Sequence, residues 1–212
     1  MSILRTHFDR SYFENAAHKE SLNSQRNRNR LRELFGHKRE GKLLEVGCGK
    51  GGFLRLAAER FDVRGIDISS YAVGAIKHVF GDRVRTADVE KKALPSAYYD
   101  VVAAFNVLEH LRGPRKVVRK IYDSLTDDGI LIGSVPNNCA LVGRVATALM
   151  NLFDRTHRST YPTARWRALF QEVGFREVHL FGEITLGRNA SLFVKHRPWR
   201  YVSFNLMFLC RK

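Results

Sequence analysis

The sequence has few cysteines and no long run of uncharged apolar residues. Its three cysteines, Cys48, Cys139 and Cys210, are far apart and form no C-x-x-C pair. This spacing argues against a disulfide framework or a zinc site and indicates a reducing compartment, so we expect a cytoplasmic protein. The lack of about 18 consecutive apolar residues predicts no transmembrane helix. The first ten residues also lack the apolar stretch of a signal peptide.

Acidic residues are scarce toward both ends of the chain. Residues 1–40 carry nine lysines and arginines against five acids, and residues 141–212 carry twelve against four. The middle, residues 41–140, is nearly balanced, although the whole chain has a net charge of +15. A basic flank is compatible with an anionic substrate, nucleic acid, an anionic membrane surface or a solvated face. The 212 residues, 44% of them hydrophobic, indicate one α/β domain with modest additions.

A glycine-rich loop between a strand pattern and a helix pattern is the most informative feature. Residues 43–46 predict a short buried strand, and residues 53–58 open an apolar helix. The glycines between them are Gly47, Gly49, Gly51 and Gly52. Glycine allows positive φ and a close approach of a ligand to the backbone, and the N-terminus of the following helix attracts polar ligand groups. The loop therefore predicts a nucleotide-type cofactor site.

The spacing of this loop fits two kinds of cofactor. The pattern G-x-G-x-x-G, followed by Asp67 twenty residues after Gly47, fits a dinucleotide, whose ribose would bind the acid. It fits S-adenosylmethionine (SAM) equally well, because SAM carries the same adenosine ribose. Glu45 favours SAM over a dinucleotide. An acid at the end of the first strand would repel a pyrophosphate but would attract the ammonium and sulfonium groups of SAM.

Strand and helix patterns alternate along the chain. Strand patterns occur at residues 43–46, 61–67, 84–87, 99–105, 130–135, 175–181 and 201–210. The alternation with short links predicts a doubly wound α/β fold with a seven-stranded, mostly parallel sheet. The excursion between the last two strands predicts an antiparallel C-terminal strand. Two short helices within residues 10–35, joined by the polar stretch Q-R-N-R-N-R, predict an N-terminal helical cap over residues 1–40.

Polar residues follow four of the predicted strands at their carboxyl ends. Asp67 follows the second strand, Asp88 the third, residues 106–110 the fourth and residues 137–138 the fifth. Ligands of open α/β sheets bind at this edge, near the point where the strand order reverses. The glycine loop and these residues together predict one site.

Several segments occur in the order and spacing of a known family over residues 42–136. They are L-L-E-V-G-C-G-K-G, G-I-D-I-S, A-D-V-E, Y-D-V-V-A-A-F-N-V-L-E-H-L and D-G-I-L-I-G-S-V-P. The sequence resembles the class I SAM-dependent methyltransferases, in their small-molecule branch with the ubiquinone-biosynthesis-like enzymes. The resemblance implies a Rossmann-like methyltransferase domain over residues 41–212. It also implies methyl transfer from SAM to a small apolar or anionic acceptor, by direct displacement and without a metal.

The resemblance assigns the amino-acid arm of SAM to the glycine loop. The residues implied to pass beneath that arm are Gly47, Cys48, Gly49 and Gly51. Glu45 would orient the loop and favour the cationic groups of SAM. Asn106, together with Val107, would hold the methionine end near the sulfonium.

The adenosine part of SAM is assigned to the ends of the second and third strands. Asp67 would accept both ribose hydroxyls in a bidentate, charge-assisted contact. Ile68 would pack on the adenine, Asp88 would accept from the adenine amino group, and Val89 would lie on the ring face. The alternative for Asp88 or Asn106 taken alone is an ordinary polar residue at a turn or strand end.

Three residues are candidates for acid–base work on the methyl acceptor. His110 follows the fourth strand, where the acceptor approaches, and is either a general base or a hydrogen-bonded support for the loop. His157 and Tyr161 form the second pair of candidates, because related enzymes have a histidine here on the acceptor side. The alternative for His157 is a loop hydrogen bond beside a helix cap. Catalysis would depend mainly on alignment of the acceptor and exclusion of water.

Residues 139–153 depart from a minimal methyltransferase domain. Their apolar residues repeat at helical spacing and form one face. In the layout of the family this helix would border the acceptor pocket as a lid. A peripheral membrane contact is one interpretation of its apolar face, and packing against the N-terminal cap is the other.

Two rival functions are compatible with the sequence. The basic charge and the aromatic residues Trp166, Phe193 and Trp199 are compatible with a nucleic-acid (RNA) methyltransferase. Against it, F-N-V-L stands where an N-P-P-Y-type motif would follow the fourth strand, and no separate nucleic-acid-binding module is visible. The second rival is a non-catalytic SAM-binding protein, which a closed acceptor pocket would favour.

Overall fold

An eight-stranded sheet runs through the centre of the molecule. The computed structural model describes residues 8–14, 24–137, 158–159, 161–186, 190–195 and 203–212. The strands are β1 (Gly41–Val46), β2 (Phe61–Asp67), β3 (Val84–Thr86), β4 (Tyr99–Phe105), β5 (Leu125–Pro136), β6 (Glu177–Leu186), β7 (Ala190–Val194) and β8 (Asn205–Arg211). Their order across the sheet is β3-β2-β1-β4-β5-β8-β6-β7.

Strands β1 to β5 are mutually parallel, and β8 runs antiparallel to both β5 and β6. The strand order reverses between β1 and β4, so the carboxyl ends of these two strands open the crevice where ligands bind in such sheets. The predicted doubly wound, mostly parallel sheet with an antiparallel C-terminal strand is therefore confirmed.

The sheet has one strand more than the seven predicted from the sequence. The pattern placed the sixth strand at residues 175–181, whereas β6 continues to Leu186 and turns back into β7. Glu183 lies opposite Phe193 in this antiparallel pair, and Leu192, between two inward neighbours, is 56% exposed. The extra strand therefore lies at the edge of the sheet, with one face buried and the other exposed. Its alternation of buried and exposed side chains is too short to be distinguished from a loop by sequence periodicity.

The described residues include six α-helices. They are α1 (Arg10–Glu14), α2 (Gln25–Phe35), α3 (Gly52–Ala57), α4 (Ser70–Phe80), α5 (Pro114–Ser124) and α6 (Thr163–Val173). Ser69 caps α4, since its side chain accepts a hydrogen bond from the Ala72 N–H. No helix among the described residues has the length and apolar character needed to span a bilayer.

The polar stretch Q-R-N-R-N-R is helical, which differs from the sequence interpretation of a link between two helices. Ser24 begins α2 by accepting a hydrogen bond from the Asn27 N–H, so the helix starts with these arginines and asparagines. Within α2 the side chains of Asn27 and Arg30 are buried beside Leu31 and Leu34. The position at which α2 begins therefore depends on tertiary contacts of polar side chains. The periodicity of apolar residues does not reveal such contacts.

Two apolar cores cover the two faces of the sheet. One core contains the inward faces of α5 and α6, including Val118, Ile121 and Phe170. The other contains those of α2, α3 and α4, including Leu34 and Leu54. Each buried leucine or isoleucine contributes roughly 1.5–3 kcal/mol by leaving water, so the site stands on a sheet held rigid from both sides. The predicted helix over residues 139–153 and His157 lie outside the described residues.

Candidate functional site

The glycine loop turns back onto the neighbouring strand β2. The N–H groups of Gly47 and Cys48 donate to the carbonyl of Ile66, over 2.8 and 3.2 Å. Gly47, Gly49 and Gly51 have φ values of 71°, 50° and 76°, a backbone region that side chains disfavour. The loop therefore needs glycine at these positions, because another residue would be strained at each of these φ values.

Asp67 ties this loop to the start of α4. One oxygen of its carboxylate accepts from the Gly49 N–H at 2.8 Å, and the other accepts from the Ser69 N–H at 2.8 Å. A carboxylate offers about four acceptor positions, so these two bonds leave capacity for a pair of hydroxyl groups. Burial raises the pKa of Asp67, and the N–H groups of Ser69 and Gly49 partly offset this effect.

Cys48 and Glu45 lie beneath the loop. Cys48 is 4% exposed and packs on Gly65 of β2, where an added Cβ would lie 2.9 Å from its Sγ. Burial, followed by the charges of Asp67 and Glu45, raises the pKa of the Cys48 thiol well above its usual range. Cys48 is therefore a space-filling thiol rather than a nucleophile. Glu45 is buried near the carboxyl end of β1, level with Gly65.

A cavity of about 150 Å³ lies at the carboxyl ends of β2 and β3. Its lining residues are Phe8, Asp9, Ile68, Ser69, Ser70, Tyr71 and Thr86. Phe8, Ile68 and Tyr71 supply apolar and aromatic surface, and the other four residues are polar, a mixture that a flat heteroaromatic ring with polar edges can occupy. Ile68, predicted to contact an adenine, lies here. Asp88 and Val89 do not line this cavity. The Asp88 carboxylate accepts from the Glu90 N–H at 3.0 Å, and Val89 is 7% exposed within the core.

The end of β4 meets the glycine loop through Asn106 and Val107. Asn106 has a φ of 54°, and its N–H donates to the Ser134 carbonyl at 2.8 Å. Its side-chain oxygen accepts from the Ser134 hydroxyl at 2.9 Å. Val107 lies against Gly47, where an added Cβ would be 2.3 Å from Val107 Cγ2. The fold thus brings these two residues and the loop together.

His110 ends a short 3-10 helix, Leu108–His110, that follows β4. Its side chain is mostly buried, and the ring of Phe8 packs edge-on against it at 5.3 Å between centroids. Its Nε2 lies 4.0 Å from a carboxylate oxygen of Glu109. Both a proton-transfer role and a supporting role for His110 are compatible with this position.

Tyr161 lies beside α6, and backbone hydrogen bonds connect its segment to the 3-10 helix. Its ring packs on Trp166 at 5.1 Å between centroids, and its N–H donates to the Ser159 carbonyl. The N–H groups of Arg158 and Ser159 both donate to the Glu109 carbonyl at 2.8 Å. Tyr161 is thus joined to the His110 segment by way of Ser159, while His157 lies outside the described residues.

Residues 8–14, the N-terminal strap, cover the site from outside. Phe13 lies 3.5 Å from the position of a Cβ on Gly49, and Lys50 Nζ approaches the Phe13 carbonyl at 3.5 Å. At the far end of the strap, the Tyr71 hydroxyl donates to Glu14 at 2.7 Å. The sequence interpretation placed a helical cap here but did not assign Phe8 or Asp9 to the site. The aromatic cluster Phe8-x-x-x-Tyr12-Phe13 was the available signal.

A buried ion cluster lies beside Asn106 and was also missed. Glu183 of β6 accepts from Arg26 at 2.9 Å and from Arg30 at 3.1 Å. Arg30 Nη2 approaches the Ser134 hydroxyl at 3.4 Å, and its guanidinium lies 4.3 Å from the centroid of Phe105. Burial opposes ionisation of Glu183, but Arg30 and Arg26 outweigh it and lower its pKa to about 2. The i, i+4 spacing of the two arginines was the available signal.

Comparison with known proteins identifies the family. A model of the methyltransferase domain matches residues 16–180. The chain belongs to the class I SAM-dependent methyltransferases. SAM is the methyl donor of this family. Among the residues that the structure describes, no group of three or more His, Cys, Asp or Glu side chains is placed to hold a metal ion.

Curated relatives of this methyltransferase act on different small molecules, according to their names. It is 25% identical over 153 residues to phosphoethanolamine N-methyltransferase of Triticum aestivum. The matched region covers 69% of this chain and 30% of that enzyme. It is 35% identical over 99 residues to the ubiquinone biosynthesis O-methyltransferase of Nitrosomonas europaea, covering 43% of this chain and 42% of that one. The chain therefore matches less than half the length of either relative.

Solved structures share the fold. A SAM-dependent methyltransferase from Thermotoga maritima, described as a possible histamine N-methyltransferase, superposes with a TM-score of 0.70 at 16% identity. The superposition covers 88% of this chain and 89% of that chain. At this identity the similarity extends to the Rossmann-like methyltransferase architecture alone.

The residues of this methyltransferase fit SAM on the geometry observed. Asp67 keeps acceptor positions beyond its two backbone hydrogen bonds, the glycines supply the positive φ values that the loop requires, and the cavity beside Ile68 can take a flat ring. An added Cβ on Gly47 would fill the space now taken by Val107. The order of these features, from Ile68 and Asp67 after β2 to the glycine loop after β1 and Asn106 after β4, matches the order of adenine, ribose and methionine in the cofactor.

Proposed function

We propose that this methyltransferase transfers the methyl group of SAM to a small-molecule acceptor that is apolar or anionic. The observation that carries the proposal is the enclosure of the carboxyl edge by the N-terminal strap. Phe8 packs on His110 and also lines the cavity beside Ile68. Aromatic side chains so placed exclude water and leave a narrow approach, which suits a small acceptor better than a nucleic-acid duplex.

The residues of this chain would bind SAM and align its methyl group with the acceptor. Asp67 would hold the ribose, Asn106 and Val107 the methionine end, and Ile68 the adenine. Glu45, through the loop above it, would favour the cationic groups of SAM. When bound, SAM supplies an electrophilic methyl group that passes to an acceptor heteroatom and leaves S-adenosylhomocysteine (SAH). This alignment supplies most of the rate enhancement in such displacements.

A proton leaves the acceptor heteroatom when that atom begins as a hydroxyl or an ammonium. His110 is the first candidate to receive it, because it lies in the segment that follows β4, beside the methionine end. His157 and Tyr161 are the second candidates. A supporting role for His110 would instead appear as a loss of stability without a change in the pH dependence of turnover.

Charge and the named relatives support the acceptor class. The net charge of +15 favours approach of an anion. One relative is named for phosphoethanolamine, an anionic amine, and the other for an O-methylation step in ubiquinone biosynthesis. Both names describe small molecules, one methylated at nitrogen and the other at oxygen, so a test panel needs both acceptor chemistries.

The test begins with calorimetric titration of SAM, SAH and NAD at low and moderate salt. We expect micromolar binding of SAM and SAH, little salt dependence and no heat from NAD. Transfer of a radiolabelled methyl group from SAM is then measured to phosphorylated amines, hydroxylated aromatic compounds and RNA. Transfer to RNA alone would overturn the acceptor class, and binding of NAD without SAM would overturn the function.

A further inference from the structure

Helix α2 reaches the candidate site through one buried side chain. Arg30 is 2% exposed, and its Nη2 donates to the Ser134 hydroxyl in a long hydrogen bond of 3.4 Å. The Ser134 hydroxyl in turn donates to the side-chain oxygen of Asn106 at 2.9 Å. A continuous line of polar contacts therefore runs from the N-terminal part of the chain to the end of β4.

Asn106 depends on Ser134 for both its backbone and its side chain. Its N–H donates to the Ser134 carbonyl at 2.8 Å, and its φ of 54° is one that asparagine tolerates better than most residues. With its oxygen bonded to the Ser134 hydroxyl, its amide nitrogen is fixed in the opposite direction. Ser134 therefore decides where the donor end of Asn106 points.

Arg30 is itself held firmly in place. Its Nε and Nη2 donate to the two oxygens of Glu183 at 3.3 and 3.1 Å, and the ring of Phe105 lies under its guanidinium. Glu183 is fully buried, and its pKa of about 2 keeps it ionised wherever the protein is folded near neutral pH. Because Arg30 is anchored in this way, its N–H occupies an acceptor position on the Ser134 oxygen. The Ser134 O–H is then directed away from Arg30 and toward Asn106.

We infer that Arg30 is a positioning residue which, through Ser134, orients Asn106 toward the methionine end of SAM. The inference rests on the proposed function, since it takes the methionine end to lie beside Asn106. It makes helix α2 part of the cofactor site rather than an appended cover. It also assigns a role to a strand residue, Ser134, that lies within an otherwise apolar run.

Arg26 provides a matched control inside the same cluster. It donates to the same oxygen of Glu183 through Nε and Nη2, at 3.2 and 2.9 Å. Within the described ranges its side chain makes no hydrogen bond to Ser134 or Asn106. Loss of Arg26 therefore removes a buried ion pair of the same kind without breaking the line to the site.

The experiment compares two ligands that differ in the amino-acid arm. Calorimetric affinities for SAH and for 5′-methylthioadenosine, which lacks the arm, are measured for the wild type, Ser134→Ala, Arg30→Met, the double variant and Arg26→Met. We expect Ser134→Ala and Arg30→Met to weaken SAH about tenfold, as for one lost hydrogen bond to a charged or oriented group. Their affinity for 5′-methylthioadenosine should change less than about twofold.

Two further results are expected. The double variant should bind SAH no more weakly than Arg30→Met, because both changes break one line of contacts. Arg26→Met should keep the wild-type ratio of the two affinities although it unfolds at lower denaturant. Arg30→Lys, which retains the pairing with Glu183, should recover part of the SAH affinity.

An unchanged ratio of affinities in Ser134→Ala would overturn the inference, and so would an equal loss of both ligands. If Arg30→Met does not fold, Ser134→Ala decides the question alone, because it removes a single hydroxyl group and leaves the ion cluster intact. Failure of the wild type to bind SAH would instead overturn the proposed function. The two failures are therefore distinguishable.

Discussion

Val107 lies directly over the backbone of Gly47. A Cβ atom on Gly47 would be 2.3 Å from Val107 Cγ2, and Gly47 has a φ of 71°. The contact closes the distance between the glycine loop after β1 and the segment after β4. The absence of a side chain at one position thus brings the two halves of the proposed cofactor site together.

Replacement of Gly47 by alanine should destabilise the fold by about 1–3 kcal/mol, because the new Cβ meets Val107 and the positive φ is strained. Urea unfolding measures the change. Gly74→Ala is the matched control, since Gly74 lies in α4 with nothing within 4 Å of an added Cβ. It should stabilise the protein by roughly 0.5–1 kcal/mol. Adding Val107→Ala to Gly47→Ala should recover only part of the lost free energy of unfolding, because the positive φ at position 47 remains. Full recovery would show that this φ costs no stability.

Replacement of Asp67 by asparagine should weaken SAH binding by at least about tenfold, because the amide turns one acceptor oxygen into a donor beside the Gly49 and Ser69 N–H groups. Calorimetry measures the affinity. Asp62→Asn, an exposed position on the same strand, should leave it unchanged. An affinity within threefold of wild type for Asp67→Asn would show that the ribose is not held there.

The affinity for SAH should also depend on pH through Asp67. Burial raises the pKa of this carboxyl, so its ionised form, which accepts the ribose hydroxyls, is lost at a higher pH than for an exposed aspartate. Affinity should therefore fall as pH is lowered, and the fall should begin above the usual aspartate range. Titrations at a series of pH values measure it, and a pH-independent affinity in the wild type would contradict the assignment.

The ion cluster of Glu183 should stabilise the protein against acid. Its pKa of about 2 lies below the ordinary value of 4.5, so its contribution is complete above about pH 4.5 and is lost as pH falls toward 2. Such a difference corresponds to roughly 3 kcal/mol. Glu183→Gln should lower the free energy of unfolding at pH 7 by about that amount and should flatten its decrease between about pH 4.5 and 2, the range over which the wild type loses this contribution.

Glu177→Gln is the control for this change. Glu177 lies on the same strand, but its ion pairs with Arg211 and His179 are half-exposed, so the free energy of unfolding should change by less than about 1 kcal/mol. Equal effects of the two substitutions, measured by urea unfolding at each pH, would show that burial of Glu183 does not strengthen its pairing.

Removal of the Phe8 ring should weaken SAH binding about three- to tenfold, because Phe8 lines the cavity and packs on His110 and Tyr12. The free energy of unfolding should change little. Val79→Ala, a 40% exposed position on α4, serves as the control. Tighter binding by Phe8→Ala would mean that the strap obstructs the cofactor rather than enclosing it.

Local signals in the sequence predicted the parallel half of the molecule. The glycine run, the acid twenty residues later and the continuous apolar strands are consequences of backbone geometry and burial, and each is encoded within a few residues. The placement of Asp67, Asn106 and Val107 around the loop followed from the rule that parallel strands share a carboxyl edge. These side chains lie where the rule predicts.

The features that were missed all depend on contacts between distant parts of the chain. Arg30 and Glu183 are 153 residues apart, and their pairing turns a polar stretch into the start of a buried helix. Ser134 interrupts an apolar strand without changing its periodicity. The edge strand β7 has only five residues, and its alternation is too short to be distinguished from a loop. A short pattern such as the i, i+4 spacing of Arg26 and Arg30 marks one side of such a contact but does not identify its distant partner.

The position of β8 bears on how the sheet assembles. It follows β6 and β7 in the sequence, yet it lies between β5 and β6, pairing with residues 130–136 on one side and 177–183 on the other. Until residues 205–211 are in place, the described strands form a parallel half and a separate β6–β7 hairpin. Each of these two parts exposes an unpaired strand edge until β8 joins them, so insertion of β8 protects both edges at once.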